Sequence, residues 1–295
     1  MIITLKDPKT NICAVIDSLG AQLISLKDSS QKEYIWQRDP AVWSNCSPLL
    51  FPAVGNCRGG RTRFDGQWYD MPKHGFCRES DFIVKQTDEH HAVFRLAAND
   101  YTRRFYPYDF LLTLSYCLKD GVLSMDYSVE NPGDRQMCYL LGAHPGFICP
   151  LEEGEAFEDY DLEFDQEETT SSMVYNVNIF EFDLSIKGVD LDHTRRLPLS
   201  YELFCNDAIY FDRLLSRKVS IVNRNTRKGV WVAFPGFETV AFWTPYSKKP
   251  AFLCVEPWNG CAIRNDEDDD FLHRHHVQIL APGEKKTYPM EIGIL

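Results

Sequence analysis

The sequence predicts an all-β protein, a large antiparallel β-sandwich. Three observations carry that expectation: apolar residues recur mostly with period two, turn residues punctuate them at short intervals, and no long amphipathic helix pattern lies between them. Residues 13–17, 22–26, 68–70, 82–85 and 92–97 are the first short strand-like runs. Residues 109–118 and 122–129 follow, joined by the turn Lys119, Asp120 and Gly121, and Asn131, Pro132 and Gly133 close the second of them. Residues 137–142, 218–222, 230–234 and 252–255 complete the series, the last reaching Glu256, where Pro257 is expected to stop the ladder. Residues 151–192 are acidic and least periodic, and read as a surface excursion.

The composition narrows the classes of function. With 31 Lys+Arg against 43 Asp+Glu, the 295-residue chain carries a formal charge of −12, which argues against a nucleic-acid partner because phosphate neutralisation needs a basic face. Hydrophobic residues at 44% and charged residues at 25% are those of a globular chain. The length alone leaves one domain or two open, and no linker rich in Pro, Gly or Ser divides it. No run approaches the ~20 apolar residues of a membrane helix, and the first residues lack the pattern of a secretory signal, so a cytoplasmic protein without a membrane partner is expected. The ten Cys sit at irregular spacings with no CxxC pair, and read as reduced thiols filling apolar strands. The aromatic fraction of 13% fits a sheet-rich protein or a sugar-binding surface.

Two histidines stand in built contexts. His74 precedes Gly75, Phe76, Cys77 and Arg78, and His144 lies between Gly142-Ala143 and Pro145-Gly146, just past an apolar run. Such flanks hold an imidazole at a strand end for binding, or leave it as a turn His bonded to a carbonyl. Glu256 ends an apolar run and is followed by Pro257 and Trp258. Desolvation there raises a carboxyl toward the range of a general base; the other reading is a Glu paired with an Arg at a sheet edge. Asn206-Asp207 directly precedes an apolar run, where an acid is also a common turn device. His273 and His275 are spaced to share a strand face beside His276, but no third ligand at metal spacing is visible, so no metal site is expected. The acidic run 266–270 is a solvated loop or a calcium loop, without the Gly and terminal Glu of an EF-hand. No GxSxG elbow, Walker loop or GxGxxG after a strand occurs.

Taken in order, Ser47 to Gly55 (SPLLFPAVG), Asp65-Gly66 with Tyr69, His74 to Arg78 (HGFCR), Gly142-Ala143-His144-Pro145, Asn206-Asp207-Ala208 and Cys254 to Trp258 (CVEPW) resemble the aldose 1-epimerase, or galactose mutarotase, family, and most of all its LacX-type branch. The resemblance covers nearly the whole chain. It implies a galactose mutarotase-like supersandwich and an enzyme that interconverts the α and β anomers of an aldose, with no cofactor or metal. By position it makes Glu256 the general base, His144 the general acid, His74 a second catalytic His, and Asp207 a ligand of sugar hydroxyls. Trp258 and Phe76 are expected to offer apolar faces to the pyranose. Many relatives carry an Arg after the FPxxG segment that touches the sugar; Asn56 stands there in this chain, with Arg58 or Arg61 as substitutes from a shifted loop.

The partner so implied is a small-molecule sugar. Residues from His74 to Glu256 must then meet in one pocket, which makes residues 1–295 a single domain the simpler expectation. Two alternatives remain at this point: a hexose-6-phosphate mutarotase whose phosphate is held by Arg58, Arg61, Arg63 and Arg78, and a sugar-binding protein without turnover.

Overall fold

The computed structural model describes residues 1–295, Gln86 by its backbone alone. Period-two patterning produces antiparallel sheets throughout, and the helical content among the described residues is confined to short 3-10 turns. The larger sheet has nine strands in the order Asp190–Pro198, Tyr160–Ser171, Lys218–Asn223, Gly229–Ala233, Lys285–Ile294, Val122–Glu130, Leu111–Lys119, His91–Ala97 and Ile83–Thr87. The second runs Glu181–Asp183, Met173–Asn176, Ile209–Phe211, Thr239–Trp243, Phe252–Asn259, Leu141–Ala143 and Leu49–Leu50, with Gly146–Ile148 also paired to Phe252–Asn259. No helix among the described residues is long and apolar enough to cross a membrane.

The core lies between these two sheets. Leu111–Lys119 buries every second residue, Leu112, Leu114, Tyr116 and Leu118, as a strand with one packed face should. In the facing sheet Phe252–Asn259 is buried at all eight positions and so has cover on both sides. Phe164 of the first sheet meets Phe211 and Phe242 of the second at ring-centroid distances of 6.5 and 6.3 Å, within the range of edge-to-face aromatic pairs. Much of the aromatic content is spent here. Of the ten cysteines, all unpaired, seven are buried and only Cys205 is exposed.

Three local expectations are corrected. Pro257 does not stop its strand, which continues to Asn259 with Pro257 opposite Val240. Val255 N–H points away from that neighbour and donates to Pro145 O, so the ring nitrogen of Pro257, two residues on, faces the same side. There the ladder is already interrupted between Leu141–Ala143 and Gly146–Ile148, so Pro257 costs no hydrogen bond. Glu256 is therefore a mid-strand residue.

Residues 137–142 form two strands instead of one. Leu140 N–H donates to Pro52 O, and the halves Met137–Tyr139 and Leu141–Ala143 enter different sheets. Residues 151–192, expected as a surface excursion, contribute Tyr160–Ser171, Met173–Asn176, Glu181–Asp183 and the start of Asp190–Pro198. Register shifts around Glu168 break the period there, and the acids on the solvent side mask the alternation.

Candidate active site

The open face of the second sheet carries a cavity of about 260 Å³, lined by Trp43, Asn56, Lys73, His74, Arg78, His144, Tyr175, Phe182, Asp207, Trp243, Glu256 and Trp258 among others. That is smaller than the roughly 300–1,000 Å³ of sites for drug-sized ligands, and suits one small molecule. Glu256 and Trp258 are two residues apart on one strand and share a face. His144 comes from the link between Leu141–Ala143 and Gly146–Ile148, both paired to that same strand. This pairing brings His144 Nε2 to 3.0 Å from Glu256 Oε2. The contact lacks hydrogen-bond alignment, and Glu256 Oε2 has no hydrogen-bond partner despite its burial.

His74 is held by its backbone and its ring together. Its amide donates to Gly55 O at 2.7 Å, and Gly55 N–H donates to Nδ1 at 3.1 Å. An accepting Nδ1 leaves Nε2–H as the donor of the neutral ring. The turn depends on Gly75, at φ +71°, where a Cβ would sit 2.1 Å from Phe51 O. Asp207, at φ 74°, accepts from Trp243 Nε1 at 2.6 Å. Trp43 stacks on the His144 ring at 5.0 Å.

Burial dominates the electrostatics. It pushes His144 down to about 3, with Lys73 and Arg78 adding to the effect. His74 is also driven well below the usual imidazole range by burial, then by Lys73, His144 and Arg78. Glu256 is driven well above the usual carboxylate range by burial and then by Asp207. The Glu256–His144 pair thus holds one proton and no net charge, with the proton on the carboxyl. Moving that proton to His144 gives carboxylate and imidazolium without changing the proton count, and requires the two groups to realign from their present 3.0 Å contact.

Seven of the eight residues expected at the site line the cavity: His74, His144, Glu256, Asp207, Arg78, Trp258 and Asn56. Phe76 does not. It is 1% exposed and packs on Phe51, Phe105 and Phe110, because the turn that presents His74 directs the next aromatic inward. Phe76→Ala is expected to cost about 3–5 kcal/mol of stability in urea melts while leaving the Michaelis constant for a bound sugar unchanged.

Asn56 spends its amide on the protein, accepting from Tyr175 O–H at 2.9 Å and donating to Phe180 O at 2.7 Å. Of the four arginines expected around a phosphate, only Arg78 reaches the cavity. Arg58 is tied to Glu181 and Asp269, while Arg61 and Arg63 lie over Trp68. The acidic run 266–270 is consumed internally: Asp266 on Arg264, Asp268 on His273, Asp269 on Arg58 and Asp270 on the Leu272 amide. His273 turns to Asp268 within a 3-10 turn, so it shares no strand face with His275.

Trp43, Trp243, Lys73, Tyr175 and Phe182 also line the cavity, and none of them stands out in the sequence as a site residue. Lys73, adjacent to His74, is the one with a signal. No carboxylate among the described residues pairs with it.

A model of the family described as Aldose 1-epimerase matches residues 1–292. Protein LacX, chromosomal, of Lactococcus lactis subsp. lactis is 34% identical over 285 residues, covering 93% of this chain and 94% of that protein. Among solved structures, a galactose mutarotase related enzyme from Lactobacillus acidophilus superposes with a TM-score of 0.94 at 29% identity, covering 100% of this chain and 97% of the other. A galactose mutarotase-like protein from Lactobacillus casei gives 0.93 at 26% identity, with 100% of both chains covered.

Proposed function

The chain belongs to the aldose 1-epimerase family, and from that premise we propose that it interconverts the α and β anomers of an aldose by opening and reclosing the sugar ring, with Glu256 as general base and His144 as general acid. The observation that carries this reading is the buried 3.0 Å approach of His144 Nε2 to Glu256 Oε2, which sets an acid and a base side by side at the cavity wall. Glu256 as carboxylate takes the proton of the C1 hydroxyl while His144 as imidazolium gives one to the ring oxygen, and the C1–O5 bond opens to the aldehyde. Rotation about C1–C2 presents the other carbonyl face, and the reverse transfers close the ring with C1 inverted. The Nε2–H of neutral His74 hydrogen-bonds sugar oxygen, Asp207 accepts from hydroxyls, and Trp43, Trp243 and Trp258 cover the C–H faces.

Polarimetry of freshly dissolved α-glucose and α-galactose tests this. The protein should accelerate relaxation to the equilibrium rotation; the buffer rate alone, over a panel of aldoses, overturns the reading. Binding with no acceleration would instead favour a sugar-binding protein without turnover.

Lys73 and Arg78 favour a second reading, in which the aldose carries a phosphate. Both cations line the cavity, and the carboxylate nearest Arg78 is the largely exposed Glu79 at 3.7 Å. An uncharged sugar offers neither cation a counter-charge of its own, whereas a 6-phosphate supplies one. Calorimetry with glucose and glucose 6-phosphate decides: if phosphate is recognised, the ester binds more tightly and Arg78→Ala weakens it by about 2–5 kcal/mol, with little change for glucose. Equal affinities would leave the free aldose as the substrate.

A further inference from the structure

Cys254 lies in the same strand as Glu256, two residues earlier and on the same face. One ligand atom from each of His144, Cys254 and Glu256 falls within 4.8 Å of the other two, and all three residues are buried. The proposed reaction uses two of these groups and has no role for the thiol. We propose that His144, Cys254 and Glu256 form a chelating site for a thiophilic divalent cation of the zinc class, and that its occupation blocks the proton-transfer pair. The blocking rests on the roles assigned to His144 and Glu256; the chelation does not.

The donor set is nitrogen, sulfur and carboxylate oxygen, which zinc takes at about 2.0–2.3 Å in tetrahedral sites, so neighbouring donors stand roughly 3.3–3.7 Å apart. His144 Nε2 and Glu256 Oε2, at 3.0 Å, are already near that spacing, and the Cys254 sulfur needs a movement on the order of 1 Å. The poor hydrogen-bond alignment between the two atoms also suits a pair that converges on a third point. As the cation enters through the cavity, the Cys254 thiol and the Glu256 carboxyl each release one proton to solvent, the sulfur and oxygen bind as anions, and water fills the fourth position. No redox change occurs. A sugar between Glu256 and His144 and a metal on both exclude each other.

A second cluster, Asp212, His275 and His276, brings donor atoms equally close. Arg264 Nη1 stands 2.6 Å from His275 Nδ1 there, a fixed cation where a dication would have to approach.

Titration of the intact protein with Co²⁺ reads the site directly, because thiolate ligation produces a sulfur-to-cobalt charge-transfer band in the near ultraviolet. The expected result is a band saturating at one equivalent, lost in Cys254→Ser, with Zn²⁺ affinity by calorimetry falling at least about tenfold in that variant. Cys254→Ser should keep its mutarotation rate and lose inhibition by micromolar Zn²⁺ that a chelator reverses in the wild type. Circular dichroism melts confirm folding, and Cys254→Ala provides a second variant. The absence of a band, or zinc affinity unchanged in both variants, overturns the proposal. Because the band needs no turnover, a band in a protein inert toward every aldose would sink the enzymatic reading alone, and turnover without a band would sink the metal site alone.

Discussion

Glu256→Gln is expected to slow anomer exchange by about 10²–10⁴-fold, the contribution of a positioned general base, while the protein remains folded and binds sugar. Glutamine keeps the shape and hydrogen-bonding capacity of the protonated carboxyl but accepts no proton from O1. The same change has a stability signature of known sign. The wild-type carboxyl, buried in Phe252–Asn259, titrates well above its ordinary value of 4.5, so above pH 4.5 the folded state retains a proton that the unfolded chain has lost. Wild-type stability therefore falls as pH rises through that window. The amide of the variant has nothing to ionise, and its Tm should gain on the wild type as pH rises above 4.5. Polarimetry and thermal melts check the two halves separately. Retained activity removes Glu256 from the mechanism, and a Tm difference independent of pH removes the account of its burial.

His144→Gln should cost a similar 10²–10⁴-fold, since glutamine places a polar atom near the imidazole Nε2 but donates no proton to the ring oxygen. Here the sign is reversed. The folded-state value of about 3 lies below the ordinary 6.5, so between these limits the unfolded chain binds a proton that the folded protein refuses. Stability is present above pH 6.5 and is lost as pH falls, and the variant should lack this part of the acid loss. With the histidine driven down and the glutamate driven up, the pair keeps its single proton over a wide interval. Wild-type turnover should accordingly show no bell centred on an unperturbed His, and such a bell would contradict the paired-proton picture.

Most of the cavity was legible because its polar residues sit in locally distinctive settings. His74 lies in a Gly-containing turn, His144 is framed by Gly142, Ala143, Pro145 and Gly146, and Glu256 interrupts an apolar run before Pro257 and Trp258. Strand alternation at 109–118 and 122–129, observed as Leu111–Lys119 and Val122–Glu130, was legible for the same reason, since one packed face writes itself into adjacent residues. Phe76 misled because adjacency to His74 says nothing about which way a turn sends the following ring. Asn56 occupied the expected place, yet its amide is taken by Tyr175 and Phe180, more than a hundred residues away. Trp43 and Trp243 lie in stretches whose apolar character is equally that of core, and only the fold turns their rings toward His144.

From its residues alone the chain determined an antiparallel β architecture, a net charge of −12, and the short list headed by Glu256, His144 and His74, because periodicity, charge and flanking turn chemistry are local properties. The tertiary structure decided what those residues can do together. Pairing of Leu141–Ala143 and Gly146–Ile148 to one long strand sets the 3.0 Å approach of His144 to Glu256, and the same burial displaces their proton affinities in opposite directions. It also placed Cys254 beside them, left Lys73 and Arg78 at the cavity and tied Arg58 to acids elsewhere. Distances between residues 112 positions apart depend on strand register and sheet closure, and desolvation depends on everything packed around a group; neither is written in the neighbourhood of any one residue.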